Sequence, residues 1–250
     1  MSTAQQKWTP PTTERDARVE LAAAYRMAFD QNWTDLGATH FSLAVPGEDA
    51  YLMLELGLFF NEVTASNLVK IGVDGEIRSG RDGAMVNRAG VTIHSAIHAR
   101  RPDVRAALHT HTTAGVAVSN HPDGLLPLSQ HAQRFYEGHG VHEYEGVALD
   151  ENEGPRLAED IADHELLLLR NHGLLAVGPD MPQAFSALYY AEVASAMQVA
   201  TLSTTPDPVF PPHEVCAHTR KQFDASAGYT YRDWMGVLRQ VERNHPGFDD

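Results

Sequence analysis

The sequence predicts an α/β domain in which helices cover both sides of a sheet. Three observations carry this. Short apolar runs of strand length, bounded by glycine-containing turns, occupy the first third of the chain and recur later. Stretches of helical length, amphipathic or wholly apolar, lie between and after them. No internal repeat or change of composition divides the 250 residues, so one core is expected to serve the whole chain.

Residues 1–13 are polar and contain Pro10 and Pro11, which predicts a flexible N-terminal arm. Thr13-Glu14-Arg15-Asp16 has the form of a helix-start box. Val19, Ala22, Tyr25 and Phe29 then make a helical stripe to about residue 30. Strands are expected at 39–45, 51–54 and 67–73. A helix over 86–101 ends before Pro102, because a residue preceding proline avoids helical backbone. A strand at 104–109 and a helix near 112–119 follow. Residues 120–145, rich in Gly, Pro and His, read as a long loop. Next come a short strand at 146–149, a helix at 154–163 and two strands, 166–170 and 174–177, flanking His172. The longest apolar stretch runs from Ala184 to Leu202. Glu192, Ser195 and Gln198 interrupt it, so it reads as a buried helix within 181–202 and not as a membrane span. Pro206, Pro208, Pro211 and Pro212 predict a rigid extended segment, and a last helix is expected near 229–243.

Composition narrows the function. Hydrophobic residues are 43% and charged residues 21%, ordinary for a soluble globular chain. A net charge of −14 repels phosphate backbones, so no nucleic-acid partner is expected. The single cysteine, Cys216, excludes an intrachain disulfide and points to the reducing cytoplasm. Met1 to Lys7 lacks a basic start followed by an apolar run, so neither a signal peptide nor a membrane partner is expected. The chain has no GxSxG elbow, no GxxxxGK[ST] phosphate loop and no GxGxxG after a strand.

The chemistry-bearing pattern is His109-Thr110-His111 together with His172 in Arg170-Asn171-His172-Gly173. Residues i and i+2 of a strand share a face, so His109 and His111 would leave a strand end side by side with Thr110 turned away. For the pair alone, the structural reading, coincidence in a His-rich chain or core imidazoles bonded to carbonyls, stands ahead of the metal one. His172 follows another strand-like run, and Gly173 permits a sharp turn with positive φ. Three neutral imidazoles on one side of a divalent metal leave the other side open, the pattern of a catalytic site. His94 and His98 stand at i, i+4 on the expected helix 86–101; one is expected to pack against the core and the other to face solvent. His139 and His142 flank Gly140 and read as surface residues.

Four segments resemble the class II aldolase/adducin family: Thr39-His40-Phe41-Ser42, Gly57 to Ser66, His94 to Val104 leading into His109-Thr110-His111, and Leu169 to Leu174. The resemblance covers roughly residues 15–205 and is closest to the adducin-like branch. It implies a three-layer αβα sandwich around a mixed, largely antiparallel sheet, in a domain spanning 14–205. The remaining 206–250 would pack on the same domain or on a neighbouring subunit. It also implies a homotetramer with sites near subunit interfaces, and a divalent metal held by His109, His111 and His172. Zinc is usual in the aldolases; manganese and iron are alternatives.

Three departures from the aldolases shape the expected chemistry. Those enzymes carry an acid four residues before the position of His94, where this chain has Gly90. Their phosphate-binding loop is matched by Leu54-Glu55-Leu56-Gly57, whose acidic side chain would repel phosphate. A tyrosine position aligns with His131, whose ordinary pKa suits general acid–base work. His131 and, from a neighbouring subunit, Tyr229 are therefore the candidate catalytic residues, with Tyr231 a weaker one. His40 would either hydrogen-bond substrate or fix the first strand turn. Arg134, Arg170 and Lys70 are the cations available for a carboxylate. The reading is a metal-dependent carbon–carbon lyase, of aldolase or decarboxylase type, acting on a small non-phosphorylated hydroxy-carbonyl or carboxylate compound. The alternatives are a non-haem Fe(II) oxygenase on the same three histidines and a non-catalytic adducin-like assembly module.

Overall fold

The computed structural model describes residues 7–150, 152–226 and 228–250. The first helix, α1 (Glu14–Asp30), begins at the expected box: the Thr13 hydroxyl accepts from the Asp16 amide, and the Asp16 carboxylate accepts from the Thr13 amide. Strands β1 (His40–Ala44), β2 (Ala50–Met53), β3 (Val69–Gly72) and β4 (Ile77–Ser79) form an antiparallel meander. Then come α2 (Arg88–Arg100), β5 (Ala106–Thr110), α3 (Thr113–Ser119), β6 (Gly140–His142), α4 (Glu153–Ile161), β7 (Leu166–Leu169), β8 (Gly173–Gly178), α5 (Met181–Thr204), α6 (His213–Ala225) and α7 (Gly228–Asn244). The eight strands make one sheet in the order β4-β3-β2-β1-β5-β8-β7-β6, antiparallel except for the β6–β7 pair.

Period-two alternation explains how two helical layers are held. In β5, β7 and β8 the residues Leu108, Leu166, Leu168, Leu174 and Ala176 join a core with Leu21 and Tyr25 of α1 and Leu188 of α5. Their neighbours Ala107, Leu167, Leu169, Leu175 and Val177 join a second core with Ile93 and Ile97 of α2 and Leu157 and Ile161 of α4. A strand reading Leu-Leu-Leu-Leu is buried on both faces for this reason. Each buried leucine, isoleucine or valine among them contributes about 1.5–3 kcal/mol by leaving water.

Several local expectations need correction. Residues 146–149 form no strand; Val147 and Leu149 are exposed and have no strand to pair with. The expected loop 120–145 contains a 3-10 turn, Ala132–Phe135, and edge strand β6. His142 is therefore buried, not on the surface, and its Nδ1 lies 2.7 Å from Asp160 Oδ2. The proline-rich stretch gives way to α6, which Pro212 precedes as N-cap, a place where a missing amide hydrogen costs nothing. Trp8 and Trp234 both donate their indole N–H to Glu20 Oε1, which ties residue 8 and α7 to α1. Among the described residues no helix is long and apolar enough to cross a membrane.

Candidate metal centre

His109 is the fourth residue of β5 and is fully buried on the face that packs against α2. Its Nδ1 lies 2.8 Å from the Leu174 carbonyl oxygen. A carbonyl only accepts, so Nδ1 carries the hydrogen and Nε2 of the neutral ring keeps its lone pair. Thr110 points to the opposite face, as the alternation requires, where its hydroxyl and that of Thr112 donate to the Glu192 carboxylate on α5. That clamp fixes the strand end from behind. His111 follows, its Nδ1 3.0 Å from Asp35 Oδ2. His172 sits in the β7–β8 turn, where Asn171 has φ +56° and Gly173 has φ +156°. A Cβ at Gly173 would collide with the Thr110 carbonyl oxygen, so only glycine lets the turn lie this close to β5.

The three rings come together. His109 Nε2 is 2.7 Å from His111 Nε2 and 3.2 Å from His172 Nε2, and one nitrogen from each ring lies within 4.8 Å of the others. Burial holds His109 well below the ordinary imidazole pKa, with His172, His40 and His111 adding to the effect. His172 is lowered to about 4, first by burial and then by His111 and His142. Leu174 and Asp35 engage the outward nitrogens of His109 and His111, which turns the Nε2 lone pairs of these two rings towards each other and towards His172, an arrangement that a cation between them relieves. The outward bonds to Leu174 and Asp35 are those that orient metal-binding imidazoles. The donor set fits a divalent metal with open coordination positions.

A second imidazole group adjoins this one. His40 pairs with His109 across β1 and β5, their ring centroids 5.0 Å apart. His40 Nδ1 lies 2.8 Å from His94 Nε2; His94 Nδ1 lies 2.5 Å from Ser42 Oγ; Ser42 Oγ lies 2.8 Å from His98 Nε2. His98 therefore does not simply face solvent; it is half-buried and stacked on Tyr51. Burial lowers His40 to about 3 and His98 to about 4, and holds His94 well below the ordinary imidazole value. The His40 ring fills the place over Gly90: a Cβ there would lie 2.8 Å from His40 Nε2.

The other candidates lie apart from the three rings. His131 packs against Tyr190, with the Arg134 guanidinium over the same tyrosine. Tyr229 is 62% exposed at the start of α7 and carries Arg232 against its ring. Tyr231 donates to Asp180 and stacks on Trp8. The three cations are engaged: Arg134 with Glu165, Arg170 with the carbonyls of Ser119 and Pro122, Lys70 with Glu14 and Glu48. Glu55 is buried and paired with Arg81 at 2.6 Å. Asp35 and Glu192 escaped sequence reasoning, since neither stands in a motif. The i, i+2 spacing of His40 and Ser42 and the i, i+4 spacing of His94 and His98 carried the signal for the second group.

Comparison with known proteins places this geometry. The model of the class II aldolase and adducin N-terminal domain matches residues 19–199. A crystal structure of an aldolase II superfamily protein from Pseudomonas syringae is 45% identical, with a TM-score of 0.91 over 97% of this chain and 98% of that one. Alpha-adducin of Rattus norvegicus is 40% identical over 204 residues, which are 78% of this chain and 27% of adducin. An L-fuculose 1-phosphate aldolase from Glaciozyma antarctica PI12 is 25% identical, with a TM-score of 0.82 over 95% of this chain and 96% of that one. Because the matched stretch runs through every strand and turn that carries the three imidazoles, the chain belongs to the family of the class II aldolase and adducin N-terminal domain.

Proposed function

We propose that the chain is a divalent-metal-dependent carbon–carbon lyase, with His109, His111 and His172 as the metal ligands and zinc as the ion. Its substrate would be a small non-phosphorylated hydroxy-carbonyl or carboxylate compound. The convergence of three Nε2 atoms, with the outward nitrogens of His109 and His111 engaged elsewhere, carries the reading. A metal so held supplies an electron sink for the pair left on carbon when a carbon–carbon bond breaks. The protein's own part is to hold the ligands. Leu174 and Asp35 fix the hydrogens of His109 and His111 on the outward nitrogens, and Glu192 anchors the strand end through Thr110 and Thr112. Glu55, buried and paired with an exposed Arg81 where a phosphate loop is expected, puts a carboxylate in that place and favours a substrate without phosphate. Gly90 offers no carboxylate, which favours decarboxylation or a proton carrier of another kind. Tyr229, exposed on α7, is available to a neighbouring copy in the expected tetramer.

The experiment begins with elemental analysis of protein purified without added metal, followed by assay of the zinc-loaded chain on a panel of hydroxy acids, hydroxyaromatic acids and hydroxy-carbonyl compounds. Zinc near one equivalent and turnover of one class are expected. Iron as the native metal, with oxygen consumption and no lyase turnover, would replace this reading with the oxygenase one. The match to alpha-adducin favours a second reading, an assembly module. It would be supported if a variant lacking His109 and His172 kept full cellular function.

A further inference from the structure

We propose that His40 is the proton-transfer group of this site, and that His94, Ser42 and His98 form the relay that exchanges its proton with the exterior. The proposal rests on the metal-centre reading and names the residues that serve it.

Four observations converge. His40 lies against His109, and its Nδ1 is engaged with His94 while its Nε2 has no protein hydrogen-bond partner among the described residues. The ring occupies the space over Gly90, so the absence of a side chain there is what admits it. From Nδ1 inward, hydrogen-bonded links of 2.8, 2.5 and 2.8 Å run without a gap through His94 and Ser42 to His98. Every member can both donate and accept, and the row ends at a half-buried ring. A purely structural cluster needs no such continuity.

The passage balances. A proton taken by His40 Nε2 breaks its bond to substrate. The Nδ1 hydrogen of His40 moves to His94 Nε2, that of His94 Nδ1 to Ser42 Oγ, and that of the Ser42 hydroxyl to His98 Nε2. The Val104 carbonyl holds the His98 Nδ1 hydrogen, so His98 carries the proton as an imidazolium at the half-buried end of the row, the member nearest the exterior. His40 and His94 end neutral, having exchanged one tautomer for the other. This suits the two fully buried rings, where a charge is most disfavoured, and reversal resets the row. Hydrogen-bonded rows in a low-dielectric interior polarise one another, which aids such a concerted shift.

The test uses the zinc-loaded full chain with nitrogen-15 in its histidines. Ring-nitrogen shifts report which nitrogen of His40, His94 and His98 bears hydrogen. Exchange of the carbon-bound protons of hydroxyacetone in deuterated water reports proton transfer without need of the native substrate. Ser42→Ala should change the tautomer ratios on both sides of the break and slow exchange roughly 100-fold, the low end for a positioned proton-transfer group. Zinc affinity should stay unchanged. His98→Gln, which keeps a donor and an acceptor but on different atoms, should slow exchange similarly. Tautomers and exchange rates at wild-type values in both variants would overturn the relay. Zinc-loaded wild-type protein that exchanges no hydroxyacetone proton would overturn the role of His40. Failure of the wild-type chain to bind zinc, manganese or iron would strike the metal-centre reading instead.

Discussion

Two groups of imidazoles share one face of the sheet, and their hydrogen bonds set them apart. At the ends of β5 and β7, the nitrogens of His109 and His111 that carry hydrogen point outward to Leu174 and Asp35, so their lone pairs face inward with His172. One register position away, in β1 and α2, the nitrogens that link His40, His94 and His98 meet a complementary partner in the row. The first group turns lone pairs towards a shared centre; the second pairs its nitrogens within the row. Burial and residue type do not distinguish a metal centre from a hydrogen-bonded relay. The disposition of hydrogens does.

The largest expected effect separates the groups outright. His109→Ala or His172→Ala should lower zinc affinity by several orders of magnitude in calorimetry, while His98→Gln should leave it intact. Equal losses from both would erase the distinction. Next in size, Asp35→Asn should weaken zinc binding by about 10–100-fold, as loss of an outer partner of a metal-binding imidazole does. An unchanged affinity would mean that Asp35 does not orient His111.

Gly90→Ala should destabilise the fold by about 1–3 kcal/mol in denaturant unfolding, because the new methyl meets the His40 ring. Combining it with His40→Ala should recover part of that loss, and strict additivity would show that the two do not touch. The smallest effect is on acid stability. In the unfolded chain imidazoles take up protons from about pH 6.5 downward, whereas in the fold His98 and His172 resist until about pH 4 and His40 until about 3. The unfolded state binds more protons in that window, so the metal-free protein should lose stability as pH falls from 6.5 towards 4. His98→Gln should flatten this slope. Glu20, raised to about 7 by burial, acts in the opposite sense and loses stability as pH rises from 4.5 to 7. Glu20→Gln therefore isolates the imidazole contribution in thermal melts across pH.

The three imidazoles were legible in the chain because strand periodicity is local: His109 and His111 had to share a face, and Gly173 had to mark a tight turn. The capping box at Thr13 and the doubly buried Leu166–Leu169 run were legible for the same reason. Residues 146–149 misled because a short apolar run after a glycine resembles a strand whether or not a neighbour exists to pair with. Helix α6 was hidden because prolines that end one segment can also begin the next.

The sequence by itself determined the αβ class, the imidazole types of the three-histidine cluster and the shared face of His109 and His111, since those follow from periods of two and 3.6 within a few residues. Only the tertiary structure decided that Asp35 reaches His111, that Glu192 anchors the strand end, and that His40 fills the space over Gly90. Those contacts join residues 50 to 82 positions apart. They depend on sheet order and helix docking, which no local pattern encodes.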